Sequence, residues 1–288
     1  MRALTYTLLR PLFCAVLAAV VAGCAQVSPA AKSGIERMYV FYCGETQVPD
    51  VSPWAPGTAP GTPMLFSDDC YLIKHAKGYM LWDSGLTDTV ADKPDGMQGP
   101  RGMVMKRKQT LAAQLAAIGV APGDVKYLAF SHTHSDHVGN ANLFTAATLY
   151  IQQAEYDAAF GPEPAKFGFV PANYDKLRAS PMVKLTGDHD IFGDGSVTIV
   201  STPGHTPGHQ SLLVRLPQTG AVVLSGDFVH FRANFDARRA PSFNFNQEQS
   251  LQSIDKVAAL LKAERGQLWI NHDSAQSATI PHAPQYVQ

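Results

Sequence analysis

At 288 residues, the chain has room for one large domain or two small ones. Hydrophobic residues make up 45% and charged residues 16%, proportions that exclude a disordered chain. A formal net charge of -1 removes the electrostatic reason to expect nucleic acid as a partner, while 20 prolines and 23 glycines point to a loop-rich fold.

Arg2 and Arg10 form a basic lead, and Pro11 to Ala22 carries no charge. That apolar run is too short to anchor in a bilayer, so residues 1–23 read as a signal peptide. The run ends Val21-Ala22-Gly23-Cys24, which resembles a bacterial lipobox. The resemblance implies cleavage before Cys24 and a lipid on its thiol, holding the protein at a membrane; a secretory signal that contains a cysteine is the plainer alternative. Ala25 is not the aspartate that keeps similar lipoproteins at an inner membrane, so in a Gram-negative cell the expected location is the outer membrane, facing the periplasm. Residues 24–36 are mostly small or polar and read as a tether, with the folded domain at 37–288.

Strand patterns follow at Met38–Cys43, Cys70–Lys74 and Tyr79–Trp82, with a Pro/Gly-rich loop from Val48 to Pro63 around Trp54. Cys43 and Cys70 sit at the end of one strand and the start of the next. In an exported protein they either join or remain two buried thiols. Leu111, Leu115 and Ile118 recur at helical spacing in Thr110–Ile118, and Val125–Phe130 reads as a buried strand. Further strands are expected at Thr148–Gln152, Ser196–Ser201, Gln210–Leu216 and Ala221–Leu224. A long helix is expected at Gln247–Ala263, with Leu251, Ile254, Val257, Ala258 and Leu261 inward and Asn246 with Gln249 as a capping pair. A last strand, Gln267–Asn271, leads into His272. Mixed helices and short strands make one αβ domain the economical reading.

Five segments at strand ends carry chemistry. Ser131-His132-Thr133-His134-Ser135-Asp136-His137 packs three imidazoles and a carboxylate within six residues, in a chain with 10 histidines. Alternate residues of an extended segment point the same way, so His132 and His134 can reach one metal while Asp136 and His137 turn toward a second. Ser201–His209 contains His205 and His209 on a turn stiffened by proline and glycine. Leu224-Ser225-Gly226-Asp227, Ile270-Asn271-His272-Asp273 and Leu81-Trp82-Asp83 each put polar residues where an apolar strand stops. Taken singly, these last four fit plain turns; together they suggest one shared rim.

His132-x-His134-x-Asp136-His137, followed by His205, Asp227 and His272, resembles the metallo-β-lactamase superfamily. The resemblance runs from about residue 38 to the C-terminus and implies an αββα sandwich with two Zn(2+), or other divalent transition metals, at one edge. It implies that His132, His134 and His205 bind the first ion, that Asp136, His137 and His272 bind the second, and that Asp227 bridges them. His209 then fills a hydrogen-bonding or a ligating role, and Asp83 orients a ligand histidine. A pair of ions generates a hydroxide nucleophile near neutral pH, so the expected activity is hydrolysis of an acyl bond, with Asp136 carrying the proton.

Ser201–Ser211 (STPGHTPGHQS), Cys70-Tyr71-Leu72 and Asn271-His272-Asp273 look more closely like N-acyl homoserine lactonases, which implies opening of a small acylated lactone and quorum quenching. One departure concerns His230, where those enzymes commonly carry a tyrosine that assists the substrate carbonyl. His230 either donates a similar hydrogen bond or packs at the rim. Trp54, Phe231, Phe235, Phe243 and Phe245 are candidates for an acyl pocket or for ordinary packing. Arg232, Arg238 and Arg239 form a solvated face, or meet an anionic substrate or lipid headgroups. β-Lactamase activity is the runner-up, disfavoured by Asp227, since zinc β-lactamases generally lack that bridging carboxylate. Thioester hydrolysis and a non-catalytic, lipid-anchored metal-binding protein are the remaining alternatives.

Overall fold

The computed structural model describes residues 1–5 and 34–288. The signal segment from Arg10 to Gly23, the candidate acylation site Cys24 and the tether up to Ser33 lie outside the described residues. Strand β1 (Ile35–Val48) opens inside the stretch expected as tether. Two contacts fix it there: Ile35 pairs with His75, and the Gly34 amide donates to Asp194 Oδ2 at 3.1 Å.

The first sheet contains β1, β2 (Met64–His75), β3 (Gly78–Trp82), β4 (Met97–Gln98), β5 (Val104–Lys106), β6 (Val125–Ala129), β7 (Thr148–Gln152) and β8 (Met182–Leu185), in the order β4-β5-β1-β2-β3-β6-β7-β8. The second contains β9 (His189–Asp190), β10 (Val197–Ser201), β11 (Gln210–Leu216), β12 (Gly220–Leu224) and β13 (Gln267–Trp269), in the order β13-β12-β11-β10-β9. The helices are α1 (Leu111–Ala117), α2 (Ser135–Val138), α3 (Gln153–Phe160), α4 (Arg232–Asp236), α5 (Gln247–Glu264) and α6 (Ser274–Ser277).

Alternation along the strands builds the layers. Tyr71, Ile73, Met80 and Trp82 face Leu212, Val214, Val222 and Leu224 between the sheets. Leu72, Leu81 and Leu128 point the other way, onto Leu111 and Leu115 of α1 and Ala158 and Ala159 of α3. Leu213, Val223 and Leu268 pack on Ile254 and Val257 of α5. The order helix, sheet, sheet, helix is the expected αββα sandwich in a single domain.

Most expected elements form within a few residues of their expected ends, and Cys43 and Cys70 are joined in a disulfide between β1 and β2. The inward face of α5 differs from the expected stripe: Ala258 is exposed, and Ser250 and Ser253 are buried instead. The reason lies in the loop after β10. Ser253 Oγ donates to the Pro203 carbonyl at 2.7 Å, and a Cβ on Gly204 (φ 136°) would meet the Ser250 nitrogen at 2.4 Å. Asn246 caps α5 by accepting from the Gln249 amide at 3.0 Å, whereas Gln249 Oε1 has no partner, so only half of the expected capping pair forms.

β3, β6 and β7 run parallel, as do β12 and β13, and β10 shares their direction through two antiparallel steps. The carboxyl ends of these strands meet along one rim, where ligands of open αβ sheets usually bind.

Candidate metal centre

Each candidate residue follows one of those strand ends. Asp83 comes after β3, Ser131 to His137 after β6, His205 after β10, Asp227 after β12 and His272 after β13. Local sequence produces each turn. Gly226 adopts φ 55°, and a Cβ there would strike Ser131 Cβ at 2.4 Å and His209 Nε2 at 2.7 Å, so only glycine lets β12 deliver Asp227 beside β6. Asp83 itself holds φ 56°, which turns its carboxylate inward to accept from the Ser131 amide at 2.6 Å and from His137 Nδ1 at 3.0 Å.

All seven candidate ligands converge. His132 Nε2 lies 2.8 Å from His134 Nδ1, which lies 3.1 Å from His205 Nε2. Asp227 Oδ2 stands 3.5 Å from His205 Nε2 and 3.9 Å from His132 Nε2. Its other oxygen, Oδ1, faces His272 Nε2 at 3.1 Å and His137 Nε2 at 3.3 Å. Asp136 closes this second group, 3.8 Å from His272 and 4.0 Å from His137. The ligand atoms of His132, His134 and His205 lie within 4.8 Å of one another, as do those of Asp136, His137 and His272.

The hydrogen bonds behind these rings decide what sits between them. His134 Nε2 faces the Phe167 carbonyl at 3.0 Å and His205 Nδ1 faces Asn244 Oδ1 at 3.0 Å. Oxygens of that kind only accept, so those nitrogens carry the protons. His134 Nδ1 and His205 Nε2 are then bare lone pairs pointed at each other. His272 donates Nδ1 to the Ser67 carbonyl at 2.8 Å and His137 donates Nδ1 to Asp83, so in each ring Nε2 is the atom at which a metal replaces a proton. Both face a carboxylate, and His137 Nε2 and Asp227 Oδ1 are buried without a hydrogen-bond partner. Lone pairs converge this way when a cation lies between them, so the donor set fits a pair of divalent ions.

Electrostatics agrees. Burial and neighbouring imidazoles push His132 well below its ordinary value, and burial, only partly opposed by Asp227, does the same for His205, so both are neutral ligands. Burial works against charge on His272, but Asp227 overrides it and lifts that group to about 9. Burial would raise Asp227, yet His272 and His137 hold it well below the carboxylate range.

His209 takes no part in the cluster. Its Nδ1 faces the Thr202 carbonyl at 3.1 Å and its Nε2 accepts from the Asp227 amide at 2.8 Å, with burial pushing it down to about 3. His230 is fully buried, with Nε2 3.3 Å from Asp227 Oδ2 and within 4.8 Å of the ligand atom of His205, so it turns toward the bridging carboxylate. Sequence reasoning missed Glu155, buried in the first turn of α3. Its Oε1 accepts from the Thr133 amide at 2.8 Å, and its Oε2 from Thr206 Oγ1 at 2.7 Å and the Gly208 amide at 3.0 Å. One carboxylate thereby ties the loop of His132 and His134 to the loop of His205. Asn244 and Ser67, which orient His205 and His272, were also missed; no local motif marks any of the three.

The cluster opens into a cavity of about 680 Å³. Trp54, Phe66, Met103, Met105, Val170 and Phe243 give it an apolar wall, and Asp136, His134, His205, Asp227 and His272 form its floor. Of the expected aromatics, Trp54 and Phe243 line it, while Phe245 lines a neighbouring recess of about 270 Å³. Phe231 and Phe235 do not: Phe231 packs behind Phe66 at 5.1 Å, and Phe235 packs against the α5 cluster. Arg238 pairs with Asp255 on an exposed surface, as a solvated face would.

A buried cluster of histidines and aspartates on the rim of an αββα sandwich defines a metal-binding hydrolase. The chain belongs to the metallo-β-lactamase superfamily, whose family model matches residues 65–264. It is 35% identical over 226 residues to the N-acyl homoserine lactonase AttM of Azorhizobium caulinodans, covering 75% of this chain and 85% of that protein. It is 27% identical over 259 residues to the N-acyl homoserine lactonase AiiA of Bacillus thuringiensis subsp. kurstaki, covering 88% and 99%. The solved structure of an N-acyl homoserine lactone hydrolase with N-hexanoyl-L-homoserine bound at its catalytic metal center superposes with a TM-score of 0.77 at 26% identity, covering 88% of this chain and 99% of that one.

Proposed function

We propose that this protein is a lactonase that opens N-acyl homoserine lactones at a centre of two divalent ions, zinc being the leading choice. The observation that carries the reading is the convergence of bare histidine nitrogens and Asp227 on the floor of a deep apolar cavity, a shape suited to a polar ring with an acyl tail. The relatives named above, which are N-acyl homoserine lactonases, support the substrate class.

When bound, two such ions bring the pKa of water toward neutrality and polarise a carbonyl. His132, His134 and His205 would hold one, Asp136, His137 and His272 would hold the other, and Asp227, which lies between the two groups, would serve both. Asp136, 38% exposed on the cavity floor, accepts the proton of the attacking water and returns it to the ring oxygen as that oxygen leaves. Asp83 and His209 keep His137 and Asp227 in position. The apolar wall holds the acyl chain and limits water around the reacting ester.

Export and lipid anchorage belong to the same reading. The lipobox-like Val21-Ala22-Gly23-Cys24 supports them, and the Cys43–Cys70 disulfide suits an oxidising compartment. A parallel screen of acyl homoserine lactones, a carbapenem and a thioester, with metal measured in the same sample, tests the activity. Lactone opening is expected, abolished in His132→Ala and Asp227→Ala. Turnover of the carbapenem or thioester with the lactones left intact contradicts it.

A further inference from the structure

The tip of the β4–β5 hairpin carries a cation in an unusual setting. Arg101 holds φ 55°, a left-handed conformation that is strained for a non-glycine residue. Glycine or asparagine suits such a position, yet an arginine occupies it, immediately before a glycine that shares the left-handed turn (Gly102, φ 74°). Its guanidinium carbon lies 5.8 Å from the Trp54 ring centroid, and the side chain lines the 680 Å³ cavity. Among the described residues no carboxylate pairs with it, whereas Arg107 on the same segment pairs with Asp88 and Arg238 with Asp255.

Ring contacts fix its position relative to the metal floor. His272 lies 5.3 Å from Phe66, Phe66 lies 5.6 Å from Trp54, and the exposed Arg101 lies 5.8 Å from Trp54. A chain leaving the floor along this wall meets Phe66, then Trp54, with Met103 and Met105 beside them, and last an unpaired cation at the mouth. An apolar wall ending in a lone guanidinium matches a tail that is apolar along its length and anionic at its end.

Resting on the lactonase reading, we propose that Arg101 is a specificity-determining residue that selects lactones whose acyl chain ends in a carboxylate. The acyl methylenes lie along Phe66 and Trp54, and the terminal carboxylate takes the charge-assisted hydrogen bonds of Arg101. The chemistry at the floor is untouched, so the selection acts on KM and leaves kcat alone.

The test compares two acyl homoserine lactones of equal chain length, one ending in methyl and one in carboxylate, on the metal-loaded protein. Arg101→Asn tolerates the left-handed backbone without the charge, and Arg101→Lys keeps the charge. The wild type should favour the carboxylate-ended substrate by about tenfold in KM, the worth of one hydrogen bond to a charged group. Arg101→Asn should lose that preference with the methyl-ended substrate unchanged, and Arg101→Lys should retain part of it. Arg101→Gly, which relieves the backbone, should match the asparagine variant and unfold at the same or a higher temperature, separating lost charge from lost fold. Equal KM for both substrates in the wild type, or equal loss on both in Arg101→Asn, overturns the role of Arg101 and leaves the lactonase reading standing. Failure to open either lactone overturns both.

Discussion

His230 presents Nε2 to Asp227 Oδ2 at 3.3 Å from a position 1% exposed, its ring stacked 5.6 Å from His272 and edge-on 5.3 Å from His205. Its Nδ1 has no hydrogen-bond partner, so nothing competes for the proton on Nε2. We read it as a positioning residue that donates to the bridging carboxylate, a different place from the substrate-assisting or rim position expected of a histidine standing for a tyrosine. His230→Ala should weaken metal retention by about 10–100-fold, the usual cost of removing such a partner. Competition with a chelator measures this, and an unchanged affinity contradicts it.

Glu155 supports both histidine loops from beneath. Glu155→Gln keeps the shape but sets an amide N–H against a backbone or hydroxyl donor, a conflict worth about 1–3 kcal/mol. Thermal unfolding should show the loss in the metal-loaded protein, accompanied by faster release of metal to a chelator. Wild-type release kinetics from the variant would remove Glu155 from the centre's support.

Proton and metal compete for the same atoms. Without metal, His272 is lifted from 6.5 to about 9, so its proton contributes stability that is full below about pH 6.5 and is lost as pH rises through 9. A metal displaces that proton, so loading should release protons into weakly buffered solution at neutral pH, and metal affinity should fall as pH falls. Metal-free protein should therefore lose stability between pH 6.5 and 9 relative to the loaded form. Loading without proton release at pH 7 contradicts the assignment of His272.

The disulfide joins residues separated by 27 positions, both buried between the first sheet and its helices. Loop entropy makes such a link worth about 3–4 kcal/mol. Urea unfolding of the Cys43→Ala, Cys70→Ala double variant should show an unfolding free energy lower by that amount, and no change would mean the link adds nothing.

The ligand set was legible because its chemistry is local: histidines at alternate positions after an apolar strand, and single carboxylates or imidazoles where other strands stop. Long periodic segments, such as the strand at Gln210–Leu216 and the helix beginning at Gln247, were legible for the same reason. The hairpin of β4 and β5, with strands of two and three residues, has no period to read, so the wall it gives the cavity was invisible. Glu155 reads as an ordinary acid in a helical first turn; only tertiary packing turns it inward. Ala258 lost its inward place to Ser250 and Ser253 because the Pro203–Gly204 loop needs hydrogen bonds on that face, which hydrophobic periodicity does not register.

Metal content per chain, measured on the same sample that is assayed for acyl homoserine lactone opening, tests the central claim most directly. Two divalent ions per chain are predicted, with stoichiometry and lactone opening lost together in Asp227→Ala. Fewer than one ion per chain in protein that still opens the lactone, or two ions per chain in Asp227→Ala, would contradict the bridged centre.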